Sequence, residues 1–375
     1  MSRRGSSDPE APAPTLAARL RERILRGGPL TFRDWMEAAL YDERGGYYQT
    51  RAERWGRAGD YRTAPERGPL FAATFARHFS KLHEELGRPD PFYIVEAGGG
   101  AGRFAHGVLG VLRRDAPEVF GSLRYVFDEA GADSRERAAA LLAPFAGRVE
   151  FRRASEITRP PDAAIVFSNE LLDALPVHRV TARGGLLRES YVGVDDGGAF
   201  VFLEGEPSTP RLAGHFRRLG VTLAEGQTAE VNLDAGDWLR RAAGLVGRGF
   251  VLTVDYGDEA AGLYGAPHRF AGTLRAFRRH EFVEDVLRDP GEQDLTTTVN
   301  WTQLAAEGEA AGLKTLSLER LDAFLLRAGL VEQLELESAL AAGESELAAL
   351  RLGAREMILP GGMASHFQVL VQEKS

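Results

Sequence analysis

The sequence predicts an α/β fold: a mixed sheet, parallel except for its last strand, with helices on both faces. Apolar runs recur at residues 92–95, 163–167 and 250–254, and such runs are typical of parallel strands buried on both sides. Glycines at 98–102 follow the first run, and a helical spacing of apolar residues starts at Arg103. Strand, glycine turn and helix in succession form the repeating unit of doubly wound sheets.

The composition excludes several classes of function. The chain has 375 residues, of which 27% are charged and 44% hydrophobic, an ordinary globular balance. It contains no cysteine, so disulfides, thiolate metal sites and cysteine nucleophiles are excluded, and no metal site is predicted. The net charge of -8 argues against a nucleic-acid partner and suits a cationic one. Without a membrane-spanning run or a secretory signal, the expected location is the cytoplasm of a bacterial host.

Changes of pattern along the chain predict seven segments. We expect a disordered lead at 1–14, an N-terminal helical segment packing on the core at 15–90, the first part of the core at 91–176, a β-meander with a helical insertion at 177–232, the core continued at 233–257, a lid or substrate insertion at 258–299, and the C-terminal core with a helical insertion at 300–375. The insertions would form a subdomain on the substrate side.

Local patterns then place the elements in order. Apolar spacing predicts three helices in the first part of the chain. One covers 16–25, a second starts after Thr31 as its N-cap, and a third contains Phe71, Phe75 and Phe79. Core strands are predicted at 92–95, 123–128, 148–152, 163–170, 250–257 and 313–318, with an antiparallel edge strand at 363–372. Alternating strands at 177–181, 186–194 and 199–203 predict a meander that extends the sheet or covers one edge. Two acidic helices are expected within 321–350, and no firm element within 258–299.

The glycine loop predicts a small-molecule site, because ligands in open α/β sheets bind beyond the carboxyl ends of the strands. A dinucleotide fingerprint requires G-x-G-x-x-G, and Arg103 stands where its third glycine should be. The spacing present is instead Glu96, Gly98, Gly100 and Gly102. An ordinary structural turn is the alternative interpretation of these glycines.

Polar residues end the later strands and are candidates for chemistry. Asn169 and Glu170 end the fourth predicted strand, and Asp173 lies one helical turn further on. Their carboxylates could orient a cationic nucleophile; alternatively, Asn169 and Asp173 cap the next turn. Asp128 ends the second strand and is a candidate for ligand binding. Alternatively, it is a solvated acid of the loop. His280 in the long insertion could be a general base or a structural histidine.

Several motifs together resemble the MidA-type family of S-adenosylmethionine-dependent methyltransferases, which is similar to the mitochondrial arginine methyltransferase that acts in complex I assembly. The motifs are Gly45–Tyr48, Gly59–Glu66, Val95–Gly102, Ser168–Pro176, Asp255–Gly257, Gly272–Leu274, His280, Pro290–Gly291, Gln293–Thr296, Met357–Pro360 and Gly362–Met363. Two departures are Ala72 and Ala364, at positions where glycine is usual. A third is the stretch Asp128–Gly131, where the family shows a glutamate and a serine turn.

The resemblance implies a class I methyltransferase fold, S-adenosylmethionine as cofactor and an arginine of a protein as acceptor. Cofactor-binding residues would be Asp60, Thr63, Glu96, Gly98, Gly100, Gly102, Asp128 and Asn169. Catalytic residues would be Asn169, Glu170, Asp173 and His280, and substrate-binding residues Tyr256, Gln293 and Asp294. Tyr256 and His280 are candidate walls or proton acceptors.

Two other functions stay open at this point. The chain could methylate a small molecule in a closed pocket, or it could be an assembly factor that binds the cofactor without turnover and holds a partner. A nicotinamide oxidoreductase is the least favoured because of the glycine spacing. The oligomeric state is not predicted.

Overall fold

The apolar runs form the centre of a seven-stranded sheet. The computed structural model describes residues 13–49, 69–279, 281–359 and 361–375. The helices in these ranges are α1 Leu16–Gly27, α2 Phe32–Tyr41, α3 Pro69–Glu85, α4 Arg103–Asp115, α5 Pro117–Ser122, α6 Ala132–Leu142, α7 Arg211–Leu219, α8 Leu233–Leu245, α9 Ala260–Gly265, α10 Trp301–Ala310, α11 Leu321–Ala328, α12 Leu330–Leu340 and α13 Glu344–Ile358.

The strands in the same ranges fall into a large central sheet and smaller ones. They are β1 Leu30–Thr31, β2 Phe92–Ala97, β3 Leu123–Asp128, β4 Val149–Phe151, β5 Ala163–Asn169, β6 His178–Arg183, β7 Leu186–Val194, β8 Phe200–Gly205, β9 Thr228–Val231, β10 Arg248–Asp255, β11 Gly257–Asp258, β12 Arg275–Arg278, β13 Glu281–Val283, β14 Asp294–Thr296, β15 Val299–Asn300, β16 Lys314–Arg320 and β17 Gln368–Lys374.

The central sheet has the order β16-β17-β10-β5-β2-β3-β4. The pairs from β10 to β4 are parallel, whereas β17 runs antiparallel to both of its neighbours. Ala97 is in register with both Asp128 and Ser168, and Val254 with Asn169. The carboxyl ends of β2, β3, β5 and β10 therefore meet along one edge, which is where ligands bind in such sheets.

Both faces of the central sheet are covered, as the apolar runs predict. Along β2, Phe92 and Ile94 pack into a cluster with α3, α4 and α11. Val95 points to the opposite face and packs with α8 and α10. Because successive side chains of a strand alternate between faces, a sheet covered on both faces requires continuous apolar strands.

The last strand lies inside the central sheet, whereas the sequence predicts it at the edge. The sequence predicts an antiparallel edge strand at 363–372; β17 is antiparallel, but it lies between β10 and β16. Leu370 and Val371 are 1% and 6% exposed, which an edge position would not require. The edge on this side is β16, whose residues are mostly exposed or half-buried.

One predicted alternative, that the meander extends the central sheet, is wrong. The meander forms a separate five-stranded sheet of order β1-β7-β6-β9, with β8 paired to β7. The N-terminal helices pack on this sheet: Trp35 of α2 lies in one buried cluster with Val177 and Val192. The Thr31 cap is confirmed, since its side chain accepts the Asp34 N–H at 3.1 Å.

Two insertions contain more elements than predicted. Residues 258–299 include α9 and a three-stranded sheet of order β13-β12-β14, whose strands of three to four residues are too short for a clear pattern. Residues 321–358 form three helices rather than two. The extra break lies at Gly329, which ends α11 with φ of +97°. Among the described helices, none is long and apolar enough to cross a membrane.

Candidate active site

The loop after β2 is built from residues that tolerate a left-handed backbone. Gly98, Gly100 and Gly102 have φ of +71°, +55° and +80°, values that side chains with a Cβ rarely adopt. Gly98 donates its N–H to the Asp128 carbonyl at 2.8 Å, which fixes the loop to the end of β3. Gly102 is the N-cap of α4, so the first backbone N–H groups of that helix have no partner within it.

The loop also needs glycines because it packs closely against neighbouring side chains. A Cβ on Gly98 would lie 2.8 Å from Leu171 Cδ1, and a Cβ on Gly99 would lie 2.3 Å from the Phe127 ring. Both distances are too short for carbon atoms without a shift of the neighbour. The loop is therefore held close to β3 and to the segment after β5, and Ala101 is its one residue with a side chain.

Glu96 lies beneath this loop rather than on its surface. Its side chain is 4% exposed, and Oε2 accepts the Tyr125 hydroxyl at 2.9 Å. Burial raises the pKa of Glu96 to about 8, although the Tyr125 bond opposes the shift. The carboxyl is therefore largely protonated at neutral pH.

Two consecutive acids after β3 have different partners. Asp128 accepts the Ala154 N–H at 3.0 Å and forms an ion pair with Arg153 at 3.1 Å. Glu129 instead reaches the glycine loop: Oε2 accepts the Gly100 N–H at 2.8 Å. Burial raises the pKa of both acids. Sequence reasoning did not single out Glu129; the available signal was the acid doublet itself.

Asn169 is the last residue of β5, and Glu170 follows it. Asn169 Nδ2 donates to Glu170 Oε1 at 3.0 Å, while Asn169 Oδ1 is buried and has no hydrogen-bond partner among the described residues. Glu170 has φ of +50°, which is uncommon for a residue with a Cβ. Such backbone strain is concentrated at functional sites.

Asp173 and Asp255 share a buried position next to this strand end. They are 6% and 0% exposed. Asp255 was not among the predicted site residues, although it ends β10 as Asn169 ends β5. Burial raises the pKa of Asp173 well above its ordinary value, and the charges of Asp255, Glu170 and Asp294 add to the shift.

The insertion that contains β14 reaches the same acids. Asp294 is 2% exposed, and its Oδ1 accepts the Tyr48 hydroxyl at 2.9 Å. Tyr256, after β10, faces both Asp173 and Thr296 of β14. The structure therefore brings together the strand ends of the central sheet, the Tyr-Tyr turn after α2 and the insertion.

Gln293, the neighbour of Asp294, uses its side-chain amide for hydrogen bonds within the insertion. Its side chain is 2% exposed, and Nε2 donates to the carbonyls of Asp285, Val286 and Arg288 at 3.2, 3.0 and 2.5 Å. These bonds commit the amide to the turn of the insertion.

Three predicted site residues cannot be placed. Asp60, Thr63 and His280 lie outside the described residues. Within the described ranges no group of three or more histidine and acidic side chains could hold a metal ion.

The comparisons with known proteins decide the family. Residues 74–318 match the family model described as "Putative S-adenosyl-L-methionine-dependent methyltransferase". The chain belongs to this methyltransferase family. Its similar curated relatives include the mitochondrial protein arginine methyltransferase NDUFAF7 homolog of Drosophila melanogaster, 27% identical over 82% of this chain and 73% of the relative. The human NDUFAF7 is 25% identical over the same shares.

Solved structures agree with the family assignment. A COG1565 superfamily protein from Burkholderia thailandensis, crystallised with S-adenosyl-homocysteine, superposes with a TM-score of 0.82 at 29% identity, covering 96% of this chain and 92% of that one. The predicted family, the class I fold and S-adenosylmethionine as cofactor are thereby confirmed.

The residues at the strand ends suit this cofactor. The loop from Gly98 to Gly102 presents bare backbone next to the carboxylate of Glu129, and a carboxylate can accept bonds from ribose hydroxyls. Asn169 Oδ1 is a buried acceptor that lacks a donor among the described residues, and a bound ammonium group could provide one.

Proposed function

We propose that this methyltransferase transfers a methyl group to an arginine side chain of a protein. The supporting observation is the group of acids Glu170, Asp173 and Asp294, which lie after β5 and on the insertion facing it, with the buried Asp255 of β10 behind Asp173. A guanidinium is always charged, and carboxylates bind it with paired, charge-assisted hydrogen bonds. An acceptor held there lies along the sheet edge that carries the glycine loop.

The relatives support the same substrate class. The curated relatives of fly and human carry the name protein arginine methyltransferase, and the aligned part covers about three quarters of each. At 25–27% identity, similarity alone does not assign the relatives' substrate to this chain. The acids of this chain provide the independent chemical reason for the proposal.

We assign the cofactor to the loop between β2 and α4. Gly98, Gly100 and Gly102 would pass beneath it, with Glu96 supporting the loop from below. Glu129 is our candidate for the ribose hydroxyls, because it already contacts Gly100; Asp128 would order the neighbouring residues 153–154. Asn169 would accept a hydrogen bond from the amino end of the cofactor.

Catalysis then depends on alignment. S-adenosylmethionine supplies an electrophilic methyl group, and direct transfer requires the acceptor nitrogen, the methyl carbon and the sulfur to lie in line. Glu170 and Asp173 would hold the guanidinium in that line, with Tyr256 as a wall and Asp294 closing the site from the insertion. Roles for Asp60, Thr63 and His280 remain predictions.

Two experiments test this function. Calorimetry should detect S-adenosylmethionine binding by the folded protein, and mass spectrometry should detect methylated arginine in proteins incubated with enzyme and labelled cofactor. Glu170→Gln should keep the cofactor affinity and reduce arginine labelling at least about 100-fold, because the guanidinium loses one of its carboxylate partners. Glu204→Gln is the control, since Glu204 forms an exposed ion pair with Arg183 in the second sheet.

The outcomes separate the alternatives. Labelling of metabolites without labelled protein would indicate a small-molecule acceptor. Cofactor binding without any transfer would indicate an assembly factor. Unchanged arginine labelling by Glu170→Gln would contradict the role assigned to the acids.

A further inference from the structure

One carboxylate behind the acceptor site is committed entirely to the backbone. Asp255 Oδ2 accepts the N–H groups of Leu172 and Asp173 at 3.0 and 3.3 Å, and Oδ1 accepts the Tyr256 N–H at 2.8 Å. The side chain is 0% exposed. Asp255 therefore fixes the turn that carries Asp173 and places a second acid directly behind it.

The neighbouring carboxyl has spare hydrogen-bonding capacity. The backbone carbonyl of Asp173 is held by the Thr297 N–H at 2.9 Å, which fixes the residue from the side of the insertion. Its Oδ1 atom is buried and has no hydrogen-bond partner within the described ranges. An unsatisfied buried oxygen is costly, and such atoms persist where a ligand or a catalytic role requires them.

The charged and titratable groups that face Asp173 come from four directions. Asp255 lies on β10 and is followed by Tyr256, Glu170 follows β5, Asp294 lies on β14, and Tyr41 lies on α2. Burial first, and then the three acids, raise the pKa of Asp173; burial and the charge of Glu170 raise the pKa of Asp255 to about 8. The pair therefore retains protons at pH values where an exposed aspartate is fully ionised.

We propose that Asp173 accepts the proton that the acceptor nitrogen loses on methylation, and that Asp255 is the positioning residue that fixes Asp173 for this role. The proposal rests on the proposed methylation of arginine. Nothing in the relatives or in the sequence motifs assigns either task to this pair.

The step balances as follows. The lone pair of the guanidinium nitrogen forms the N–C bond to the methyl group, and the electron pair of the broken C–S bond stays on sulfur, which becomes a neutral thioether. The nitrogen now carries one proton too many, and that proton moves to Oδ1 of Asp173. The carboxyl later returns it to solvent. Burial and the neighbouring acids raise the pKa of Asp173, so its carboxylate is a stronger base than that of an exposed aspartate.

The pH profile of kcat/KM on an arginine peptide tests the positioning role. The wild-type profile should fall on the acidic side as the pair becomes protonated. Asp255→Asn removes a negative charge, so the pKa of Asp173 falls and the acidic limb should move down by about one pH unit or more. The control is Asp258→Asn, because Asp258 also accepts the N–H of its next residue at 2.8 Å and pairs with Arg269 outside the site.

A second variant covers the case in which Asp255→Asn does not fold. Asp173→Asn keeps the shape of the side chain, and calorimetry should give a cofactor Kd within about twofold of the wild type. Its rate of methyl transfer should fall at least about 100-fold, the usual contribution of a general base, and Asp173→Glu should recover part of it.

The results separate this inference from the function on which it rests. A wild-type enzyme that methylates no arginine peptide removes the arginine proposal and this inference together. An active enzyme overturns the inference alone if Asp173→Asn keeps the wild-type rate and pH profile, or if Asp255→Asn leaves the acidic limb in place.

Discussion

Glu129 accepts the backbone N–H of Gly100 at 2.8 Å, and its other oxygen accepts the Gly131 N–H at 2.6 Å. One side chain thus joins the loop after β2 to the turn after β3, two segments 29 residues apart. The neighbouring Asp128 turns away to Arg153. The shape of the cofactor loop therefore depends on the second acid of the doublet.

Cofactor affinity should respond differently to the two acids. In Glu129→Gln the amide nitrogen cannot accept, so one of the two backbone N–H bonds is lost, and the Kd for S-adenosylmethionine should rise at least about tenfold, or 1.4 kcal/mol. Asp128→Asn should change it less than about threefold, because that carboxylate does not contact the loop. Calorimetry measures both. The control Asp133→Asn removes an acid at the start of α6 that pairs with Arg137. Equal losses for the two neighbours would contradict the assignment.

Two glycines of α4 should respond oppositely to alanine. A Cβ on Gly107 would lie 2.6 Å from the Ala72 Cβ of α3, whereas a Cβ on Gly110 meets nothing within 4 Å. Gly107→Ala should lower the free energy of unfolding by about 1–3 kcal/mol through overpacking. Gly110→Ala should raise it by about 0.5–1 kcal/mol, because alanine favours the helix. Urea unfolding monitored by circular dichroism checks both signs, and a shared sign would show that the α3–α4 contact is looser than described.

Stability should fall with rising pH because of Glu96. Its folded-state pKa is raised to about 8, above the ordinary value of 4.5, so the native state holds a proton that the unfolded chain has released. The contribution is fully present below pH 4.5 and is lost as the pH rises towards 8, with a slope of at most about 1.4 kcal/mol per pH unit. Glu96→Gln imitates the protonated form and should flatten this part of the profile. Urea titrations at several pH values measure the free energy of unfolding. If Glu96→Gln keeps the wild-type slope, other groups cause the pH dependence.

The insertion should loosen when Thr273 loses its hydroxyl. Thr273 donates its N–H and its hydroxyl to Glu230 Oε2, with Oε2 at 2.6 Å from the nitrogen and 3.2 Å from Oγ1, and Oγ1 accepts the Thr298 N–H at 3.1 Å. Thr273→Val removes the two hydroxyl bonds, so amide exchange should speed up at 294–299 and the KM for the acceptor should rise several-fold, with cofactor affinity unchanged. Thr209→Val, at an exposed turn before α7, is the control. Exchange that stays at the wild-type rate would show that other contacts hold this segment.

The core of the fold could be predicted because its signals are local. The run Leu123–Asp128 matches β3 at both ends, and the runs that begin at Phe92 and Ala163 start at the first residues of β2 and β5. The three meander strands β6, β7 and β8 were predicted as well. Their assembly into a separate sheet could not be predicted, since β7 pairs with the two-residue strand β1, about 160 residues earlier in the chain. The interior position of β17 likewise depends on which strands it meets, and its own sequence does not encode that.

The candidate site was predictable in part for the same reason. Gly98, Gly100, Asn169 and Asp173 lie at or shortly after the ends of β2 and β5 and were singled out from the pattern of strand ends. Glu129 escaped prediction because the local turn decides which of two adjacent acids faces the loop.

The interior place of β17 has a consequence for synthesis on the ribosome. Residues 368–374 emerge after every other strand of the central sheet, yet they fill the gap between β10 and β16. Until then, two strand edges expose unpaired N–H and carbonyl groups, the surfaces through which nascent chains associate with one another. We therefore expect the largest sheet to stay split until residues 368–374 pair with β10 and β16.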